Sequence, residues 1–210
     1  LIKKECAGFP ADSLFRFEMF LQVRQELEKT DYIYFFNSNA EFKAPVGKEL
    51  LPLNGEKLVG AEWPGKRKPL KHPAFYPYER NRHSSAYIPP REDKPYIYYM
   101  GGINGGEAAD YLEMAETLSE NIRADYEKGI VALVHDESHI NKYFRTHDCK
   151  VLSAEYCFPE EWITCNFSPK IIFRDKVKLD PYFNKGRDYS LKGKLEKTVS
   201  VIYRAIRWYL

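Results

Sequence analysis

The apolar positions of the chain fall into short blocks with distinct periods. Leu14, Phe17, Phe20, Leu21, Val23 and Leu27 share one broad helical face, with Asp12 or Ser13 placed to cap it. Tyr32 to Phe36 are all aromatic or β-branched, the pattern of a strand buried on both faces and typical of a parallel sheet. That run ends abruptly at Asn37-Ser38-Asn39. Lys57 to Ala61 is a weaker strand candidate. Residues 63–95 read as a long irregular excursion, proline-rich and carrying Lys66, Arg67, Lys68 and Lys71. Tyr96 to Met100 returns to strand, followed by a glycine-rich turn over Gly101–Gly106. A helix then runs from about Glu107 to Lys128. Its apolar face is Ala108, Tyr111, Ala115, Leu118, Ile122 and Tyr126, and Gly129 is placed to close it. Ile130 to Val134 reads as a further strand, and His135 opens a helix carrying Ile140, Tyr143 and Phe144.

Alternating strands and helices predict an α/β fold with a largely parallel sheet. In such sheets ligands bind beyond the carboxyl ends of the strands. Asn37–Asn39, Gly101–Gly106 and His135–Glu137 each follow a predicted strand, so they are expected to form one site. The tail has its own pattern. Leu191, Leu195, Val199, Ile202 and Ile206 recur at helical spacing, alongside five basic residues (Lys192, Lys194, Lys197, Arg204, Arg207) and one acid, Glu196. This helix either lies on an anionic membrane surface or packs on its own domain. The expected organisation is a catalytic domain over residues 1–188 and a basic amphipathic helix over 189–210.

Composition narrows the classes. With 32 Lys and Arg against 30 Asp and Glu in 210 residues, the net charge of +2 argues against a general nucleic-acid partner. The chain is 44% hydrophobic, enough for one domain with a real core. No stretch approaches 18 uninterrupted apolar residues, and none reads as a secretory signal. Cys6, Cys149, Cys157 and Cys165 show no C-x-x-C spacing and read as reduced thiols of a cytoplasmic protein.

Three constellations carry candidate chemistry, each with an ordinary alternative. Asp136 and Glu137 are adjacent acids at a helix start, where they either cap the helix or form a carboxylate pair for glycosyl transfer. His135 and His139, four apart, share a helical face and could ligate zinc, but no third ligand is evident. The glycine run lacks the Walker and dinucleotide patterns; it is either a plain turn or a close approach to a ligand.

Read together, these segments resemble glycosyltransferase family 6, which includes the histo-blood-group A and B transferases and α-1,3-galactosyltransferase. The resemblance runs from about Ala11 to Lys178. It is carried by Asp31 to Phe42, by Tyr78-Glu-Arg80 with Ala86-Tyr-Ile-Pro89, by Tyr98-Tyr-Met-Gly-Gly102 with Gly105-Gly106, by His135 to Tyr143, and by Val151 to Tyr156. It implies a GT-A fold and retaining transfer of galactose or N-acetylgalactosamine from a UDP-sugar to O3 of an acceptor galactose. By the same resemblance Glu137 is the nucleophile or ion-pair stabiliser. Asp136 holds donor hydroxyls, Met100, Gly101 and Gly102 line the donor site, and Arg16 is a donor-site arginine. Arg174 and Lys176 are implied on the diphosphate, with Lys178 a rival. Trp63, Tyr78 and Val134 take acceptor positions.

The chain departs from the family pattern in three places. Asn37 and Asn39 stand where mammalian members carry Asp-x-Asp, as in bacterial members that resemble it in working without metal; no cofactor is therefore expected. Trp63 and Val134 replace a His and a Trp at acceptor positions, which puts the acceptor in doubt. The family's first strand and helix, which hold much of the uridine, are missing from a chain that opens on Leu1, so a partial sequence or a crippled enzyme is expected. Gly102 is expected to leave room for an acetamido group while Met100 pulls towards galactose, a mixed pair that leans to N-acetylgalactosamine. The expected acceptor is a galactose-terminated glycan or glycolipid, reached from the cytoplasm and at the inner face of the cell membrane. The rival readings are a decayed glycan- or nucleotide-binding protein of the same fold and, more remotely, a zinc hydrolase.

Overall fold

Apolar side chains on both faces of Tyr32–Phe36 require two apolar layers around that strand, and the computed structural model supplies them. It describes residues 7–63, 72–161, 166–180, 183, 188 and 190–210. Leu1, Cys6, Lys66, Arg67, Lys68, Lys71 and Cys165, named above, lie outside the described residues. Strand β1 (Tyr32–Phe36) packs Ile33 and Phe35 against one buried cluster and Tyr34 and Phe36 against another. Further strands are β2 (Ala40–Phe42), β3 (Leu58–Glu62), β4 (Tyr99–Glu107), β5 (Cys149–Leu152), β6 (Phe158–Pro159) and β7 (Ile171–Phe173).

The main sheet has the order β1-β4-β3-β5. Both pairings of β4 are antiparallel, and the pairing of β3 with β5 is parallel. The sheet is therefore mostly antiparallel, which corrects the largely parallel sheet expected from the sequence. The cause lies in the glycines. Gly101–Gly106 form no turn; β4 runs straight through them, with Gly105 opposite both Tyr34 and Val59. A Cβ on Gly105 would sit 2.5 Å from the Tyr34 ring, so its absence lets the aromatic strand close on β4. A second sheet, β2-β7-β6, stacks beside the first.

Ile130–Val134 is not a strand. The N–H of Leu133 donates to Glu79 Oε2 at 2.6 Å and that of Val134 to Ser138 Oγ at 3.0 Å, so side chains take the bonds a ladder would use. The first helix is also not continuous. It breaks at Phe15 and Val23 into α1 (Ala11–Leu14), α2 (Arg16–Leu21) and α3 (Arg24–Leu27). The breaks let Leu14 and Phe17 enter the core while Phe15 turns to meet the Tyr126 ring edge-on at 5.1 Å. No side chain caps α1; Asp12 instead accepts from the N–H of Ala7.

Helix α4 (Ala108–Glu127) buries Tyr111, Leu112, Met114, Ala115, Leu118 and Ile122 against α2 and the sheet. Gly129 follows it with φ of 72°, the left-handed closure its position predicts. Helix α5 (His135–Thr146) brings Ile140, Tyr143 and Phe144 to the same core. A short α6 (Lys176–Leu179) follows β7, and α7 (Leu191–Tyr209) is the predicted tail helix. Its last turns bury Ala205 and Trp208, while Leu191, Leu195, Val199, Ile202 and Ile206 are exposed. Among the described residues no helix is long and apolar enough to cross a membrane. Cys149 and Cys157 are free thiols.

Candidate active site

Two elements meet at the site: the start of β4 and the start of α5. His135 takes a left-handed φ of 50°, uncommon for a residue with a Cβ, and turns the chain sharply into α5. Asp136 and Glu137 thereby fall in the first helical turn, where free N–H groups and the helix dipole favour negative charge. Asn141, one turn on, clamps α5 to β4. Its side chain accepts from the N–H of Tyr99 and donates to the carbonyls of Tyr99 and Glu137, each at 2.9 Å.

That clamp sets Glu137 against β4. Glu137 Oε2 accepts from the N–H of Gly101 at 2.6 Å, and Oε1 accepts from the hydroxyl of Tyr98. Burial pushes the Glu137 carboxyl up to about 7, against the opposing pull of these two bonds. Burial likewise holds Asp136 above the usual carboxylate range, with the Arg16 charge opposing it. Arg16 Nη2 lies 2.5 Å from Asp136 Oδ2 and donates to the carbonyl of Gly101 at 2.8 Å. Its guanidinium stands 4.3 Å from the Phe35 ring centroid. Asn104 also donates to the Gly101 carbonyl, and Tyr111 donates to Asn104 at 2.9 Å. The Gly101 peptide is thus gripped from both ends.

The structure brings together Arg16, Gly101, Asp136 and Glu137. Lys176 joins them: its ammonium is held below its ordinary value by burial and by the nearby Arg16, with Asp136 opposing. Arg174 turns elsewhere, to Glu41 Oε2 at 2.7 Å and Glu160 Oε1 at 3.2 Å. Asn37 sits beside Gly102, whose carbonyl accepts from the Asn37 N–H at 2.9 Å. Asn39 donates to the carbonyl of Arg174 at 2.6 Å, and its Oδ1 is buried without a partner.

Two expectations need correcting. The space beside Gly102 is occupied: a Cβ there would meet Phe173 at 2.8 Å, Asn37 Nδ2 at 3.0 Å and Met100 at 3.3 Å. These side chains crowd the room expected beside Gly102. Tyr78 is fully buried and donates to the carbonyl of Ile97 at 2.8 Å, so its hydroxyl faces the protein rather than an acceptor. His135 and His139 do not share a metal site. His135 meets the Phe9 ring, His139 is buried beside Ser85 Oγ, and no group of three metal-ligating side chains occurs among the described residues.

Trp63 and Val134 stay near the site. The Trp63 indole lies 5.7 Å from the Tyr98 ring, and Val134 directly precedes α5. Tyr98, Asn104 and Asn141 are the residues to which sequence reasoning gave no role. All three lie inside or beside the motifs quoted above. A buried Asn among glycines and another at i+4 from an acid were the available signals.

Comparison with known proteins agrees with the motif pattern. The sequence model of glycosyltransferase family 6 matches residues 12–178. The O-antigen biosynthesis glycosyltransferase WbnI of Escherichia coli is 32% identical over 183 residues, covering 87% of this chain and 74% of its own length. The rat histo-blood group ABO system transferase 1 is 32% identical over 152 residues, covering 71% and 41%. The chicken globoside alpha-1,3-N-acetylgalactosaminyltransferase 1 is 37% identical over 109 residues, covering 48% and 31%. The matched region thus spans less than half the length of these two animal relatives. The residues matched by the family model include the strand start that grips Glu137, the helix that carries it and Arg16 opposite. With most of the chain matched, this protein belongs to glycosyltransferase family 6.

Proposed function

We propose that the protein is a retaining transferase that moves galactose or N-acetylgalactosamine from a UDP-sugar to O3 of a galactose-terminated acceptor. Its fold on this reading is of the GT-A type. The observation that carries the proposal is Glu137, fixed by the Gly101 N–H and the Tyr98 hydroxyl beside the Asp136–Arg16 pair. A retaining reaction needs a carboxylate held against one face of the sugar carbon while the leaving group departs from the other. As the C1–O bond breaks, its electron pair leaves with UDP. Glu137 bonds to, or pairs with, the electron-poor carbon. The acceptor oxygen then bonds to that carbon, any bond to Glu137 breaks with its electron pair returning to the carboxylate, and the acceptor proton passes to the diphosphate. Asp136 would hold donor hydroxyls, with Met100 and Gly102 beside them.

A divalent ion does not fit this donor set. Asn37 and Asn39 offer neutral amides where paired carboxylates would be needed to hold the cation. The Asn39 amide nitrogen is already committed to the backbone of Arg174. The charge of the departing diphosphate would fall to Arg16 and Lys176, which lie close enough to depress the Lys176 pKa. Arg174 would need to leave its carboxylate partners to help. The acceptor would enter along Trp63, whose indole offers a stacking face and one donor. The exposed apolar and basic residues of α7 suit peripheral contact with the inner face of a membrane.

The test is UDP release from UDP-galactose and UDP-N-acetylgalactosamine in EDTA, without acceptor and then with a panel of β-galactosides. Acceptor-stimulated release with one donor is expected. Release only after manganese is added would overturn metal independence. UDP binding without release on any acceptor would favour the decayed, glycan- or nucleotide-binding alternative.

A further inference from the structure

Helix α7 meets the body of the protein along a strongly basic seam. A groove of about 670 Å³ there is lined by Arg80, Arg82, His83, Tyr203, Arg204 and Arg207, among others. The lining also includes Asn81 and Leu210, the last residue of the sequence, and no Asp or Glu side chain. Arg80 forms part of its wall. One nitrogen of that guanidinium donates to the carbonyls of Ala74 and Tyr76, while Nε and Nη1 are buried without a partner. The neighbouring carboxylate, Glu79, is spent on the N–H groups of Arg80, Asn81 and Leu133. Like charges gathered this way repel, and among the described residues the Trp208 indole, 5.3 Å from the Arg80 guanidinium, faces that one charge alone. Burial, and then the charge of Arg204, bring the Arg80 guanidinium down to about 10.

We propose that this groove binds a phosphate group, held between Arg80 and Arg82 on the body and Arg204 and Arg207 on α7. Planar guanidinium forks match phosphate oxygens in pairs, which a set of lysines would not do. The groove does not stand alone. Arg80 and Arg204 also line a smaller apolar cavity of about 270 Å³ with Trp63, Tyr76 and Leu133, so the seam runs towards the Tyr98–Glu137 pair through Trp63. Tyr203, which lines the groove, also borders the exposed Leu195 and Val199 of α7. The phosphate can therefore belong to a membrane lipid headgroup or to a dissolved phosphate compound. The inference holds whatever reaction Glu137 performs.

The test uses the full chain and two probes. Inorganic pyrophosphate is titrated calorimetrically, and comparison of the groove and control variants separates binding in the groove from binding around Glu137. Vesicles of phosphatidylcholine with or without phosphatidylglycerol are tested by co-sedimentation. Arg204→Gln with Arg207→Gln removes two groove charges at partly or fully exposed positions. Lys192→Gln with Lys194→Gln removes two charges from the same helix outside the groove. The groove variant is expected to weaken binding of at least one probe by about tenfold or more, and the control variant by no more than about twofold. Loss confined to pyrophosphate assigns the site to a dissolved phosphate; loss confined to anionic vesicles assigns it to a headgroup. Absence of binding by the wild type in both arms, or equal losses in the two variants, would overturn the proposal.

Discussion

Gly101 approaches Glu137 so closely that a Cβ on Gly101 would lie 2.9 Å from the Glu137 Cβ and 3.1 Å from its Oε2. The same residue donates its N–H to that oxygen at 2.6 Å. Backbone contact and absence of a side chain are two halves of one arrangement. Only a glycine lets the strand come near enough for its amide to hold the carboxylate.

Gly101→Ala should therefore displace Glu137 without removing any donor-binding side chain. A shift of about 1 Å at a reacting group costs on the order of 100-fold in rate. We expect kcat to fall by about that factor, with the affinity for UDP little changed. Steady-state kinetics alongside UDP titration checks this. An Ala variant with wild-type kcat would show that the carboxylate position is not set by this contact.

Tyr98 holds the other oxygen of Glu137. A hydrogen bond to the ionised form lowers a carboxyl pKa, so its removal must raise it. Glu137 starts near 7. In Tyr98→Phe the acidic limb of kcat/KM should move upward by about one pH unit. A purely structural role for Tyr98 would lower the whole profile and leave its shape intact. The pH–rate profile of the two proteins separates these outcomes.

The raised Glu137 pKa also carries a cost in stability. An unfolded glutamate titrates near 4.3, so between about 4.3 and 7 the folded protein binds more protons than the unfolded one. Folding stability attributable to this group is then greatest at low pH and is lost as pH rises towards 7. The full difference is at most about 4 kcal/mol. Glu137→Gln keeps the shape and removes the charge. Its melting temperature should exceed that of the wild type by several degrees at pH 8 and by little at pH 5. An equal gap at both pH values would contradict the shifted carboxyl.

The site was more legible in the sequence than the sheet around it. Acidic residues at the start of a helix leave marks that residue type and spacing preserve. Arg16, two positions after Leu14, was legible only through the family resemblance, and the structure pairs it with Asp136. Strand direction leaves no such mark. Tyr32–Phe36 is apolar on both faces in either a parallel or an antiparallel sheet, and its burial on both sides hid an antiparallel partner. The glycines of β4 misled for a related reason. Close approach of a neighbouring ring and reversal of the chain both call for a missing Cβ, and only the register distinguishes them. Ile130–Val134 reads as a strand because it is apolar, yet Glu79, distant in sequence, supplies a bond that removes one N–H from any ladder.

Trp208 ties the end of α7 to the ring cluster behind the site. It is buried, and its Nε1 donates to the carbonyl of Ile88 at 2.8 Å. Its ring centroid lies 6.0 Å from that of Tyr78, which lies 5.4 Å from that of Tyr98. Arg80 stands over the same indole at 5.3 Å. Little else in α7 is buried, so Trp208→Ala should release the helix rather than leave a sealed cavity. The cost should approach the ~3 kcal/mol usual for losing a buried Trp, less what relaxation recovers. Limited proteolysis should then cut within 190–210 while the body stays folded. Support for Tyr98 would loosen with it, and kcat should fall by about threefold to tenfold as Glu137 loses a firm partner. Wild-type resistance to proteolysis in the variant would mean that α7 is held by contacts other than Trp208. Cleavage with unchanged kcat would mean that the ring cluster keeps Tyr98 in place without the helix.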